Sequence, residues 1–380
     1  MTGPAERIAR GAVRRVRAAF GLPRLPAFDH LIRRAYGALP RPVGGPSVTL
    51  VVPRRPHGMQ SSTWIRLLGP LTYDGNGRAV RLKLADATGA ATVPIGELVV
   101  VQRDVMPDAA AAERLAARVR RSGARLVVDC DDDFRLLDPA RAAALDLLMR
   151  RADQVWFSTA VLQETYRHAA DDRGVVVPNA LDPRLWGPPP PERPRAGPGV
   201  RILYMGTLTH DADFAAILPA LDAFAATRPG TELCLIGAVT RDPGRSYSRI
   251  VPVPPHAVEY PLFVRWLQQQ GPFDLGIAPL ADRPFNAAKS DIKLLDYCAL
   301  CLPALVADMP PYRDPVRPDD IAQRVANDTG SWLEALLAFD PADTAAGRQR
   351  RLDYAWNQRS IASVADRVAA LIASLLSRQA

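Results

Sequence analysis

Lysine is scarce in this chain. Of 48 basic residues three are lysine, Lys83, Lys289 and Lys293, which leaves 45 arginines. Cysteine is scarce too: Cys130, Cys234, Cys298 and Cys301 are too few and too scattered for a disulfide framework, which fits a reducing cytoplasm. Cys298 and Cys301 form a CxxC, but with no second pair and no nearby histidine they read as core packing inside a helix, and no metal site is expected. No apolar run reaches the roughly 18 residues that span a bilayer. The opening stretch MTGPAERIARGAVRRVRAAF lacks a continuous apolar core, so it is not expected to be a secretory signal. No GxGxxG follows a strand, so dinucleotide binding is not expected either.

What the opening stretch does carry is a basic amphipathic pattern over residues 5–20. Ala9, Ala12, Val13, Val16, Ala19 and Phe20 recur at helical spacing, with Arg7, Arg10, Arg14 and Arg17 on other faces. Such a helix can lie on the inner face of a membrane or pack on the body of the protein, and both readings stay open.

With 380 residues and 48% hydrophobic content the chain can build two ordinary cores. From Val48 onward short apolar runs alternate with helical patterns: strands are expected at Val48–Pro53, Val80–Leu84, Glu97–Gln102, Arg125–Asp129, Gln154–Ser158 and Val175–Pro178. The Pro-rich run WGPPPPERPRAGPG then cannot form a helix or a central strand and reads as a stiff linker. A second series opens with Val200–Tyr204 and Glu232–Gly237. The expected architecture is α/β, two parallel sheets with helices on both faces, and functional residues at the carboxyl ends of the strands. The expected division is a basic extension (1–47), a first domain (48–182), a linker (183–199), a second domain (200–356) and a terminal helix (357–380) that returns to the first domain. Ile361, Val364, Val368, Leu371 and Leu375 give that helix an apolar stripe.

The most informative stretch is FDLGIAPLADRPFNAAKSDIKLLDYCALCLPALVAD, Phe273 to Asp308. Its spacing predicts a strand, a loop, a helix N-capped by Asn286 that ends before Pro303, and a second strand at Ala304–Ala307. On one helix, Asn286, Lys289, Lys293 and Asp296 share a face. Two of the three lysines thus stand four residues apart at a helix N-terminus, where compact ammonium groups suit close approach to a diphosphate; two ordinary surface charges on a solvated face are the plainer alternative.

Other strand ends offer candidates. Gly58, Ser61 and Ser62 follow the first strand and Arg66 lies a turn later, although Ser61–Thr63 can equally be a helix cap. Arg103 follows the third. Asp129, Asp131, Asp132 and Asp133 crowd the end of the fourth, where mutual repulsion raises carboxyl pKa values. They suit a general base or a divalent cation, or else they cap the next helix and pair with Arg135 or Arg141. After Val200–Tyr204, Gly206 and the following amides lead into a helix N-terminus, with Thr207, Thr209 and His210 in the turn.

At these residues the chain resembles a family. PFNAAKSDIKLLDYCAL is similar to the donor-binding segment of bacterial GT-B glycosyltransferases, the family 1/4-like group that uses nucleotide-sugar donors. YMGTLTHDAD resembles the first turn of that family's donor domain, SSTWIRL its acceptor-facing SSxxIRL segment, DCDDD its DIDDD segment, and VVVPNALD its VxPNGxD signature with Ala180 in place of glycine. The likeness covers most of the chain from about Val48 onward. It implies two Rossmann-like domains facing across a cleft, and a nucleotide-diphosphate-sugar as co-substrate with no further cofactor and no metal.

On this resemblance Gly206, Thr207, Thr209, His210, Asn286, Lys289, Ser290, Lys293 and Asp296 hold the donor, with Asp296 on the ribose hydroxyls. Ser61, Ser62, Arg66 and Arg103 face a saccharide or lipid-linked glycan acceptor, and Asp131, Asp132 and Lys289 serve the chemistry. Ala288 stands where many retaining members carry a glutamate, so the stereochemical course is left open. The net charge of +8 and a pI near 9.6 fit such anionic ligands or an anionic lipid surface; no nucleic-acid reading motif is present. A nucleotide-sugar epimerase on the same frame and a non-catalytic sugar-nucleotide-binding module are the alternatives.

Overall fold

Val48, Leu50 and Val51 and the whole run Leu98–Val101 are buried on both faces, the condition for a parallel strand covered by helices on each side. A computed structural model describes residues 27–37, 44–55, 58–74, 80–136, 138–189, 199–206, 211–316, 321–341 and 344–377. The helix expected over 5–20 lies outside them. The described chain forms two α/β units, one running to Pro178 and resuming at Ile361, the other Asn179–Ser360.

In the first unit the strands are β1 (Ser47–Val51), β2 (Arg54–Arg55), β3 (Gly58–Met59), β4 (Arg81–Ala85), β5 (Leu98–Gln102), β6 (Arg125–Cys130), β7 (Gln154–Phe157) and β8 (Gly174–Val176). Six of them make a parallel sheet in the order β4-β1-β5-β6-β7-β8, while β2 and β3 form a small antiparallel pair. Leu50 lies beside Val100 and Val100 beside Val127, so the centre of the sheet is a band of branched side chains. The flanking helices start on side-chain caps: Asp108 accepts from Ala111 N (2.7 Å) and Asp138 from Ala140 N (3.1 Å), with Pro139 at the first helical position. The last helix, Ile361–Ser377, belongs to this unit and packs on the helix Gly69–Thr72. A Cβ at Gly69 would sit 3.0 Å from Ile361 Cδ1, so the absence of a side chain there lets the two helices approach.

The second unit has β9 (Arg201–Met205), β10 (Glu232–Ile236), β11 (Ser248–Ile250), β12 (Leu275–Ala278), β13 (Ala304–Ala307) and β14 (Gln323–Val325), all parallel in the order β11-β10-β9-β12-β13-β14. The chain leaves β9 toward one edge through β10 and β11 and later fills the other edge from β12. The carboxyl ends of β9 and β12 therefore flank the switch point where α/β sheets bind ligands. Three features depart from the expected elements. The first part of the expected linker is a short helix, Pro183–Trp186, whose Leu185 and Trp186 are buried in the second unit; residues 190–198 lie outside the described ones. Edge strands β11 and β14 are mostly polar and lack an apolar run to announce them. The single helix expected from Asn286 is two helices, Pro284–Ala287 and Ile292–Ala299.

Candidate functional site

The loops around the second unit's switch point are tied together by two aspartates of one helix, Asp211–Thr227. Asp211 accepts from Thr240 N (2.8 Å) and Thr240 Oγ1 (2.7 Å), joining the turn after β10. Asp213, 3% exposed, accepts from Ala281 N (2.9 Å) and Asn286 Nδ2 (2.7 Å), joining the turn after β12. Gly206 donates its N–H to Ile236 O (3.1 Å). Gly237 opposes it at φ +66°, where a Cβ would come within 2.7 Å of Gly206 O. Thr207, Thr209 and His210 lie outside the described residues.

Asn286 is not a helix cap. Its side-chain amide donates to Asp213 and to Ala281 O (2.8 Å). The helix breaks after it because the next polar side chains are drawn elsewhere. Ser290 Oγ accepts from Asn179 Nδ2 (2.7 Å), and the Asp291 carboxylate accepts from Arg359 Nη2 (2.9 Å) and Tyr354 Oη (3.2 Å) in place of capping Ile292–Ala299. Asn286, Lys289, Lys293 and Asp296 are thus not one helical stripe. Lys293 and Asp296 share the second helix, and Lys289 sits in the segment before it, its Nζ 5.0 Å from the Phe285 ring centroid.

Lys293 is 8% exposed, and its Nζ has no hydrogen-bond partner among the described residues. Nζ faces the Tyr204 ring, 4.7 Å from its centroid. Burial pulls its pKa down to about 7, with Lys289 pulling the same way and Asp213 and Asp296 opposing. Asp296 is equally buried, and Oδ1 lacks a hydrogen bond among the described residues. Burial pushes its carboxyl well above the ordinary range, against the Tyr260 hydroxyl and the Lys293 charge. A buried cation without a partner is costly, and a bound anion is the natural remedy.

The first unit holds the opposite situation, since each carboxylate of its acidic run meets an arginine. Asp129 at the end of β6 takes a two-pronged contact from Arg66, Nη2 to Oδ1 at 2.7 Å and Nε to Oδ2 at 3.1 Å, while Arg66 Nη1 donates to Val177 O (2.9 Å). Both side chains are 1% exposed. Arg66, expected to face an acceptor, is therefore a buried link between β6 and the strand end at Val177. Arg103 faces Asp131 (Nε to Oδ1, 2.8 Å) and donates to Asp132, with Gln60 Oε1 at 3.1 Å from Nη2 and the Phe134 ring centroid at 4.9 Å. Asp133 pairs with Arg135 (2.8 Å), the pairing that a structural role requires.

One guanidinium serving several carboxylates leaves negative charge in excess. Burial, reinforced by Asp132 and opposed by Arg103, pushes Asp131 up to about 7. Ser62 is buried, accepting from Gln102 Nε2 (3.3 Å), whereas Ser61 is exposed. Reasoning from sequence missed Gln60 and Asp104, which bond to each other (3.1 Å) beside Arg103, and Asp213 and Tyr204 of the second unit. Asp104 directly follows Arg103 and Asp213 lies inside YMGTLTHDAD, so adjacency was the available signal.

No family model and no curated protein matches the chain. Among solved structures it is similar to HepE of Anabaena in complex with UDP and glucose, at 12% identity over 86% of this chain and 99% of that one, with a TM-score of 0.60. Sucrose-phosphate synthase from Thermosynechococcus elongatus gives 12% identity, 87% and 99% coverage and a TM-score of 0.58. A Listeria monocytogenes protein provisionally assigned as UDP-N-acetylglucosamine 2-epimerase gives 12%, 88%, 98% and 0.53. At these identities the likeness establishes the fold, and the chain is an α/β protein of the GT-B class with one parallel six-stranded sheet in each unit.

Proposed function

We propose that this protein is a glycosyltransferase that moves a sugar from a nucleotide-diphosphate-sugar to a saccharide or lipid-linked glycan acceptor, in the assembly of surface polysaccharide or another glycoconjugate. The observation that carries the reading is Lys293, a buried lysine whose Nζ has no hydrogen-bond partner among the described residues, at the switch point of a fold that HepE shares in complex with UDP. Cleaving the sugar–diphosphate bond puts growing negative charge on the departing diphosphate. Lys289, and Lys293 once it is protonated beside the bound anion, supply the positive charge to meet it, which assigns leaving-group stabilisation to these groups rather than to a metal ion. Asn286 and Ser290 shape the same segment, and Asp296 takes the ribose hydroxyls. In the first unit Asp131 takes the acceptor proton with Asp132 beside it, and Ser61 and Arg103 are the acceptor contacts, with the buried Ser62 behind them on Gln102.

A panel of UDP-, GDP- and dTDP-sugars tested by thermal shift identifies the donor, and donor hydrolysis is then compared between wild type and Lys289→Ala. Loss of the cation lowers turnover by roughly 100-fold; unchanged turnover rejects the assignment. The likeness to the Listeria protein favours an epimerase as second reading. An epimerase would consume the donor without acceptor and yield an isomeric nucleotide-sugar, which chromatography of the products distinguishes.

A further inference from the structure

We propose that the second unit binds its nucleoside diphosphate together with one proton, which Lys293 takes up from solution. The inference rests on the reading of this site as a diphosphate site and adds a property to it.

The geometry sets up the uptake. Lys293 Nζ is buried and has no hydrogen-bond acceptor among the described residues; what it does meet is the face of the Tyr204 ring on β9. The charged groups that act on it are Lys289 from the preceding segment, Asp213 from the helix Asp211–Thr227 and Asp296 one turn along its own helix. Of these, Asp213 is engaged by Ala281 N and Asn286 Nδ2, and Asp296 is a buried carboxyl held toward its neutral form. An ammonium so placed holds its proton weakly, and burial with the Lys289 charge pulls its pKa down to about 7.

A nucleoside diphosphate is fully ionised at pH 8, since the second ionisation of a phosphate lies near about 6. Bound beside Nζ, it supplies the missing acceptor and raises the pKa of the lysine. Asp296 keeps its proton, because a carboxylate there would add negative charge to a buried pocket already holding an anion.

The sign follows from linkage. Just below the free value of about 7 the lysine is already charged and affinity levels off, down to about pH 6 where the ligand itself takes up a proton. Between the free and the raised bound value, affinity falls by up to about tenfold per pH unit. Above the bound value it is flat again.

The test is titration calorimetry with UDP, GDP and dTDP at pH 8 in Tris and in HEPES, buffers of different ionisation enthalpy. The expected result is a buffer-dependent heat equivalent to nearly one proton taken up, with affinity declining from pH 7 to 8.5. Lys293→Arg, which cannot discharge, retains binding and loses both the buffer dependence and the pH slope. Where a guanidinium does not fit, Lys293→Gln loses proton uptake with weaker binding, and Asp296→Asn still takes up the proton. Binding without proton uptake in the wild type overturns this inference alone, as does uptake that persists in Lys293→Arg or Lys293→Gln. Failure of all three nucleotides to bind overturns the diphosphate site itself.

Discussion

Replacing Arg66 with methionine would leave the Asp129 carboxylate buried at the end of β6 with no cation against it. Arg66 reaches both Asp129 oxygens and also satisfies Val177 O, and both side chains are 1% exposed. Breaking a pair this deep from one side costs about 3–5 kcal/mol, since the remaining charge keeps its desolvation penalty. For a unit of this size each kcal/mol moves the midpoint by about 2–4 °C, so Arg66→Met should lower the melting temperature of the first unit by about 6–20 °C. Removing both partners, as Arg66→Met with Asp129→Leu, exchanges the ion pair for apolar packing while still removing the donor to Val177 O, and should return to within about 1–3 kcal/mol of wild type. Scanning calorimetry measures the midpoints, and hydrogen exchange at the β5 and β6 amides assigns the loss to the first unit. UDP binding, which the proposed function assigns to the second unit, should be unaffected in folded Arg66→Met. A single substitution that costs less than about 1 kcal/mol, or a double one as damaging as the single, would refute the account of Arg66 as a buried structural cation.

Gly276→Ala would place a Cβ 2.8–3.0 Å from three atoms of the Tyr297 ring, which is pinned by hydroxyl bonds to Ile277 O (2.7 Å) and Leu203 O (3.2 Å). A ring so held cannot yield, and thermal melts should show about 1–3 kcal/mol of destabilisation in the second unit. If Asp131, pushed up to about 7 by burial, is the base proposed above, acting in its ionised form, the transfer rate at saturating donor should fall as pH drops below about 7. Asp131→Asn should be slower by about 10²–10⁴-fold with that limb of the pH profile gone, which stopped-flow or coupled assays across pH 5.5–8 resolve.

The central parallel strands were legible because they are buried on both faces: VTLV, LVVV, LVV and ILYM are the near-continuous apolar runs that a buried strand requires. Strands β11 and β14 were not, because edge position leaves their residues exposed and polar. The break between Ala287 and Ile292 was hidden for another reason. Helix periodicity continues through NAAKSDIKLL, and what interrupts it are side-chain bonds to Asn179, Arg359 and Tyr354, residues far away in sequence. The same holds for the acidic run: proximity suggested Arg135, which Asp133 does meet, but no spacing rule connects Asp129 with Arg66 or Asp131 with Arg103.

The two kinds of cation in this chain are used for different jobs. Arginine cannot shed its proton inside a protein, so a buried guanidinium needs an anion beside it in the resting state. Arg66 has Asp129, Arg103 has Asp131 and Asp132, and Arg359 has Asp291. A site that must stay open for an anionic ligand cannot meet that demand, because any carboxylate supplied to the cation would occupy the ligand's place and repel it. Lysine escapes the conflict, since it can wait uncharged in a buried position and become charged when the anion arrives. In a sequence with 45 arginines and three lysines, Lys293 is therefore the residue that the proposed, intermittently filled diphosphate site calls for, since a guanidinium in its place would stay charged against the Tyr204 ring while the site is empty.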